Sequence, residues 1–158
     1  MPAQAQAPMW KQAVGYQLTT HLESPDVDRQ NQAMQMLITL ASRQDKAIYL
    51  KPTAGPLLHI YKTSSEPSRR MMAVSALQWV DTPQANQKLL EYGLLETEAN
   101  IRRAILHSVA GSRWSPTVAL AASFNALRTH DAQLQARARL AEQRRSTGDQ
   151  TLPPGSRR

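Results

Sequence analysis

The chain of 158 residues contains no cysteine. That absence excludes disulfides, thiolate metal sites and cysteine nucleophiles together. Aromatic residues are few, with one Phe, three Trp and four Tyr, so a core must be built mostly from Leu, Ala, Ile, Val and Met. Strand formers are sparse, while Ala, Gln, Leu and Arg are abundant, which points to an all-α fold. No apolar run approaches the roughly 18 residues of a membrane-spanning helix, so no integral membrane segment is expected. The six glycines form no P-loop, no dinucleotide-binding fingerprint and no nucleophile elbow. His21, His59, His107 and His130 include no pair at the i, i+4 spacing of a zinc helix. His21-Leu22-Glu23 echoes half of a zinc-deaminase signature whose other half requires cysteine. No carboxylate pair stands out as an acid/base couple. The sequence therefore supplies no catalytic residue, no metal ligand and no cofactor site, and reads as non-catalytic.

Charge is present but unevenly placed. The formal net charge is +7, and residues 1–98 contribute none of it, with nine Lys/Arg against nine Asp/Glu. Residues 99–158 carry ten arginines against Asp131, Glu142 and Asp149. The whole excess belongs to the C-terminal third.

Residues 1–8, "MPAQAQAP", are small, polar and proline-flanked, which predicts a disordered tail. Their Ala-Gln-Ala resembles the end of a secretory signal, although the charged and apolar regions that precede one are missing. Cytoplasmic and exported locations both stay open. A second disordered tail is expected over 148–158, where Pro153-Pro154-Gly155 can neither continue a helix nor pack. One domain is expected between them, over 9–147. Its helix starts are punctuated by Ser24-Pro25, Thr82-Pro83 and Ser115-Pro116, each a capping hydroxyl before a proline at the first helical position. Ser65-Glu66-Pro67 and Thr97-Glu98 read the same way, and Asp131 reads as the cap of a last helix. These signals predict eight helices, over 9–22, 25–42, 53–63, 66–80, 83–95, 98–110, 115–129 and 131–146.

Three of these helices share a pattern. Arg102 is followed by Ile105, Leu106, Val109 and Ala110 at +3, +4, +7 and +8. From Arg69 the same offsets give Met72, Ala73, Ala76 and Leu77, and from Arg29 they give Gln32, Ala33, Met36 and Leu37. Each anchor helix is followed by another with its own apolar face: Leu57, Leu58 and Ile60; Leu89, Leu90, Leu94 and Leu95; and Val118, Leu120, Ala121, Phe124 and Leu127. A two-helix unit recurring every 33 to 40 residues is the signature of a stacked α-solenoid. On these residues, and on "IRRAILHSV" most closely, the chain resembles a HEAT-repeat (armadillo-like) protein over about residues 24–129. The resemblance implies a short right-handed α-solenoid of about three helical hairpins with capping helices. It also implies that Arg29, Arg69 and Arg102 tie each unit to an acid of its neighbour. Arg70 and Arg103, about 100° further round each helix, should be solvated. His107 should pack between repeats, Met34, Met36, Met71 and Met72 should fill the core, and Trp79 should lie in an apolar stripe.

In such a fold the function is expected on a concave face made by the second helices. Its exposed candidates are Tyr61, Lys62, Gln87, Lys88, Glu91, Tyr92, Asn125 and Arg128, which would bind another protein as a scaffold module. The alternative is a phosphate-binding basic patch of Arg113, Arg137, Arg139, Arg144 and Arg145, for a nucleic acid or an acidic surface. No aromatic residue follows Phe124, so that contact would be with the backbone of the nucleic acid. A monomer is expected in either case.

Overall fold

A computed structural model describes residues 9–43, 49–116 and 118–148. Both predicted tails lie outside the described residues, apart from Gly148. Among the described residues the protein is all-helical, as its composition predicts. The helices are α1 (Met9–Leu22), α2 (Val27–Ser42), α3 (Ala54–Thr63), α4 (Pro67–Val80), α5 (Pro83–Leu95), α6 (Ala99–Gly111) and α7 (Val118–Gly148), with a 3₁₀ turn at Lys51–Thr53.

Local chemistry explains most of the starts. Thr82 caps α5, its hydroxyl accepting from the Ala85 N–H at 3.2 Å, with Pro83 at the first helical position. Pro67 likewise stands at the first helical position of α4, after Glu66, whose side chain makes no capping bond. At α2 the cap is Asp26 and not Ser24. The Asp26 carboxylate accepts from the Asp28 and Arg29 N–H groups at 3.0 and 3.4 Å, while Ser24 Oγ accepts from the Asp26 N–H one step earlier. A charged cap facing two orphan donors outcompetes the hydroxyl.

The largest departure from the expected elements is at the C-terminal end. The two helices expected over 115–129 and 131–146 are one continuous helix of 31 residues, beginning at Val118. Thr129-His130-Asp131 contains neither Gly nor Pro, so nothing stops the helix there. Asp131 is not a cap. It sits inside α7, only 6% exposed, where α6 supplies its partner.

The helices pack in two rows. α2, α4 and α6 touch in that order, and so do α1, α3, α5 and α7. Across the rows the tighter pairs are α1 with α2, α3 with α4 and α5 with α6. Each anchor helix therefore pairs mainly with the helix before it, and not with the one after it as the repeat pattern suggests. α4 turns into α5 through two residues only, with Asp81 in the left-handed region at φ 41°.

The core runs between the rows, from Leu18 and Leu22 through Met34, Leu37, Leu57, Val74, Leu77, Leu89 and Leu90 to Ile105, Val109 and Phe124. Of the shared apolar stripe, only the +4 position is buried in all three helices, as Ala33, Ala73 and Leu106. Met36 is 51% exposed and Trp79 45% exposed, so neither is core filler. His107 is exposed as well. Gly15 is buried because the backbone of Tyr49 crosses it, where any Cβ would run into the Tyr49 carbonyl oxygen.

Candidate binding cleft between α3 and α5

A cleft of about 580 Å³ opens where the C-terminal ends of α3 and α5 meet the start of α4. It is lined by Tyr61, Lys62, Ser64, Arg70, Tyr92, Leu95, Glu96 and Thr97. Its floor is built from the residues upward. α3 ends at Thr63 and α5 at Leu95, each leading into a short linker, so the last turns of both helices lie side by side. Tyr61 and Tyr92 stack there, ring centroids 5.7 Å apart and planes 16° from parallel. The Tyr61 hydroxyl donates to Glu96 Oε2 at 2.5 Å. Arg70 Nη2 donates to Glu96 Oε1 at 3.2 Å, and the same oxygen accepts from the Glu98 N–H at 3.0 Å. Arg70 Nη1 reaches the carbonyls of Ser64 and Ser65 at 3.4 and 3.3 Å, which tethers the α3–α4 linker.

These contacts set the electrostatics. Burial pushes the Glu96 carboxyl up, but hydrogen bonds from Tyr61 and Glu98 N–H, with the Arg70 charge, outweigh it and hold the group below its ordinary 4.5. Burial first, then the bond to Glu96, raises the Tyr61 phenol far above 10.0. The phenol stays protonated and the carboxylate stays charged. Glu96 has its proton donors fixed around it, so the group is a strut and not a poised base. Leu95 forms the lip, 83% exposed.

The eight residues expected on one protein-binding face divide into three groups. Tyr61, Lys62 and Tyr92 come together in the cleft. Tyr61 departs from expectation, because it is only 5% exposed and supports the surface from below. Gln87, Lys88 and Glu91 engage one another on the outer face of α5. Lys88 Nζ lies 2.9 Å from Glu91 Oε2, and Gln87 Nε2 donates to Glu91 Oε1 at 3.1 Å. The hydrogen bond from Lys88 lowers the Glu91 carboxyl and raises the Lys88 ammonium. Asn125 and Arg128 are exposed on α7, with the Arg128 guanidinium 5.7 Å from the Phe124 ring centroid, and neither lines the cleft. Sequence reasoning missed Arg70, Leu95 and Glu96. Arg70 was expected in solvent, but it is half-buried in the pair with Glu96. Arg103 is exposed, as expected, and bonded to Ala99 O and Asn100 of its own helix.

The anchor arginines meet three different fates. Arg102 reaches an acid, Asp131, at 2.9 Å. Arg69 reaches amide side chains instead, with Nε donating to Asn31 Oδ1 at 3.1 Å and Nη2 donating to Gln30 Oε1. Arg29 is exposed. Of the proposed basic patch, Arg113, Arg137, Arg139, Arg144 and Arg145 are all exposed.

No helix among the described residues is long and apolar enough to cross a membrane. No group of three or more His, Asp or Glu among them is placed to hold a metal ion. Comparison of the chain with protein-family models, with curated proteins and with solved structures finds no match.

Proposed function

We propose that this chain is a non-catalytic protein-binding module, a short α-solenoid of the HEAT kind, whose binding face is the row α1, α3, α5 and α7. Supporting the solenoid reading are the two rows of helices in consecutive contact and the Arg-anchored stripe buried at its +4 position in all three anchor helices. Such a fold presents a preformed surface, so a partner binds without ordering the module first.

One observation carries the binding reading. Leu95 stands almost fully exposed at the lip of a cleft whose base is already locked by Tyr61, Arg70 and Glu96. A large apolar side chain beside a stacked tyrosine on a rigid floor is the arrangement of an interface anchor. Lys62, exposed on α3 in the lining of the cleft, favours a partner segment with an acid beside its apolar residue.

Site-specific photo-crosslinking tests this reading. A photoreactive residue at Leu95 is expected to trap a discrete protein adduct in cells, whereas one at exposed Gln78 on α4 is not. Equal labelling from both positions, or none from Leu95, overturns the assignment of the face.

A further inference from the structure

α7 is much longer than its packing requires. It touches α5 and α6, and its last fully buried residue among those described is Asp131. From Ala132 to Ser146 every side chain is exposed, apart from half-buried Gln135. Beyond Gln135 the helix runs on for about another 20 Å, at about 1.5 Å per residue. Ala, Gln, Leu, Arg and Glu fill this stretch, all strong helix formers. The sequence thus specifies a helix here without giving it a core to cover.

The charge on the projecting segment is one-sided in sign but not in direction. Residues 132–148 carry Arg137, Arg139, Arg144 and Arg145 against Glu142 alone. At about 100° per residue, Arg137 and Arg144 lie within about 20° of each other, while Arg139 points about 160° away from Arg137. Leu134 and Leu140, 43% and 56% exposed, lie about 120° apart and make no shared apolar stripe. An interfacial membrane helix needs an apolar face opposite a charged one, and this segment has neither.

Charges on opposite flanks suit a groove walled by phosphates on both sides. The major groove of B-form DNA is about 12 Å wide and runs between two phosphate backbones. A helix of about 10–12 Å diameter fills it, as the basic helices of dimeric DNA-binding proteins do when they project from a folded body. We propose that the projecting segment 132–148 of α7 binds duplex DNA by lying in the major groove, Arg137 and Arg144 contacting one backbone and Arg139 the other. Contacts of this kind are to phosphate and carry little sequence preference. The deep, narrow major groove of A-form RNA excludes a helix, so the duplex must be DNA.

The test is fluorescence anisotropy of a labelled 20-mer DNA duplex titrated with the full chain, with the single strand, a duplex RNA of the same length and phosphatidylserine vesicles as competitors. Three phosphate contacts give a slope of log K against log salt of about −2.7, so affinity is expected to fall roughly 40-fold between about 50 and 200 mM salt. Replacing Arg139 by Gln should reduce the slope by about one, and Lys51→Glu, a charge reversal elsewhere on the surface, should leave binding unchanged. Charge reversal at all four arginines should abolish binding with the helical circular dichroism unchanged. Absence of duplex binding at low salt overturns the proposal, as does binding that survives the fourfold reversal. Equal competition by single-stranded DNA or duplex RNA overturns the groove placement, and preferential competition by vesicles makes the segment a lipid-binding one instead.

Discussion

Arg102 on α6 spans to Asp131 in the middle of α7 and bonds the same carboxylate oxygen twice, through Nε at 3.1 Å and Nη2 at 2.9 Å. Its Nη1 holds the Glu96 carbonyl at 3.0 Å. The Glu96 side chain is held in turn by Arg70 and Tyr61. One linker residue thus connects α3, α4, α6 and α7 through its carboxylate and its carbonyl.

Removing Arg102 strands a buried acid. Asp131 is 8% exposed at the side chain, and its Oδ2 has no hydrogen-bond partner among the described residues. Arg102→Met is therefore expected to lower stability by about 3–5 kcal/mol, measured by urea unfolding. Asp131→Asn, which keeps an acceptor for Arg102, should cost about 1–2 kcal/mol. An Arg102→Met loss below about 1 kcal/mol, the scale of a surface pair, would show that the two side chains do not meet in solution.

Tyr61→Phe is expected to cost about 1–3 kcal/mol near neutrality, the scale of a bond to a charged group. The gap between the two proteins should close at both ends of the pH range. Tyr61 is held above its ordinary value of 10.0, so its stabilisation is complete below pH 10 and is lost as pH rises towards the folded value. Glu96 is held below 4.5, so its stabilisation is complete above that pH and is lost as pH falls through the folded value. Unfolding midpoints across pH for wild type and Tyr61→Phe read this out, and a constant gap would contradict it.

Two glycine-to-alanine changes should have opposite signs. A Cβ on Gly93 of α5 would meet Ile105 Cγ2 of α6 at 2.7 Å, so Gly93→Ala should destabilise by about 1–3 kcal/mol despite better helix propensity. A Cβ on Gly55 meets nothing within 4 Å, and Gly55→Ala should stabilise by about 0.5 kcal/mol. Thermal unfolding separates the two. In an Ile105→Ala background the Gly93 penalty should shrink, which a double-mutant cycle measures.

Asp81 combines a left-handed backbone with a side-chain duty. It ends α4 at φ 41° and ψ 53°, and its Oδ1 accepts from Asn86 Nδ2 at 2.7 Å. Asn86 is 1% exposed, so losing that acceptor leaves a buried amide unpaired. Asp81→Ala should cost about 2–4 kcal/mol, from strain and the lost bond together. Asp81→Gly, free of the strain, should be milder by about 1 kcal/mol. Equal losses would assign the whole effect to Asn86.

Much of the fold is written locally, which is why it can be read in advance. Thr82-Pro83 and Pro67 mark helix starts by chemistry that needs no tertiary partner. Asp131 misleads because a polar triplet ahead of it resembles a cap, whereas its real role depends on Arg102, 29 residues away. Arg70 and Arg103 occupy equivalent sequence positions, yet only Arg70 faces a linker acid from the next hairpin. The cleft shares this difficulty. Tyr61 and Tyr92 are legible as candidates, but the carboxylate that orders them sits 35 residues from Tyr61, in a linker that looks like solvent-facing turn.

The length of α7 makes it a lever with its fulcrum at Asp131. The short side is clamped against α5 and α6, and the long side extends about 25 Å beyond the clamp. A tilt of about 10° at the fulcrum sweeps the far end through about 4 Å, on the rise per residue of an α-helix. Arg102 holds both the fulcrum and the Glu96 carbonyl at the rim of the cleft, so one guanidinium joins the base of the lever to the binding cleft.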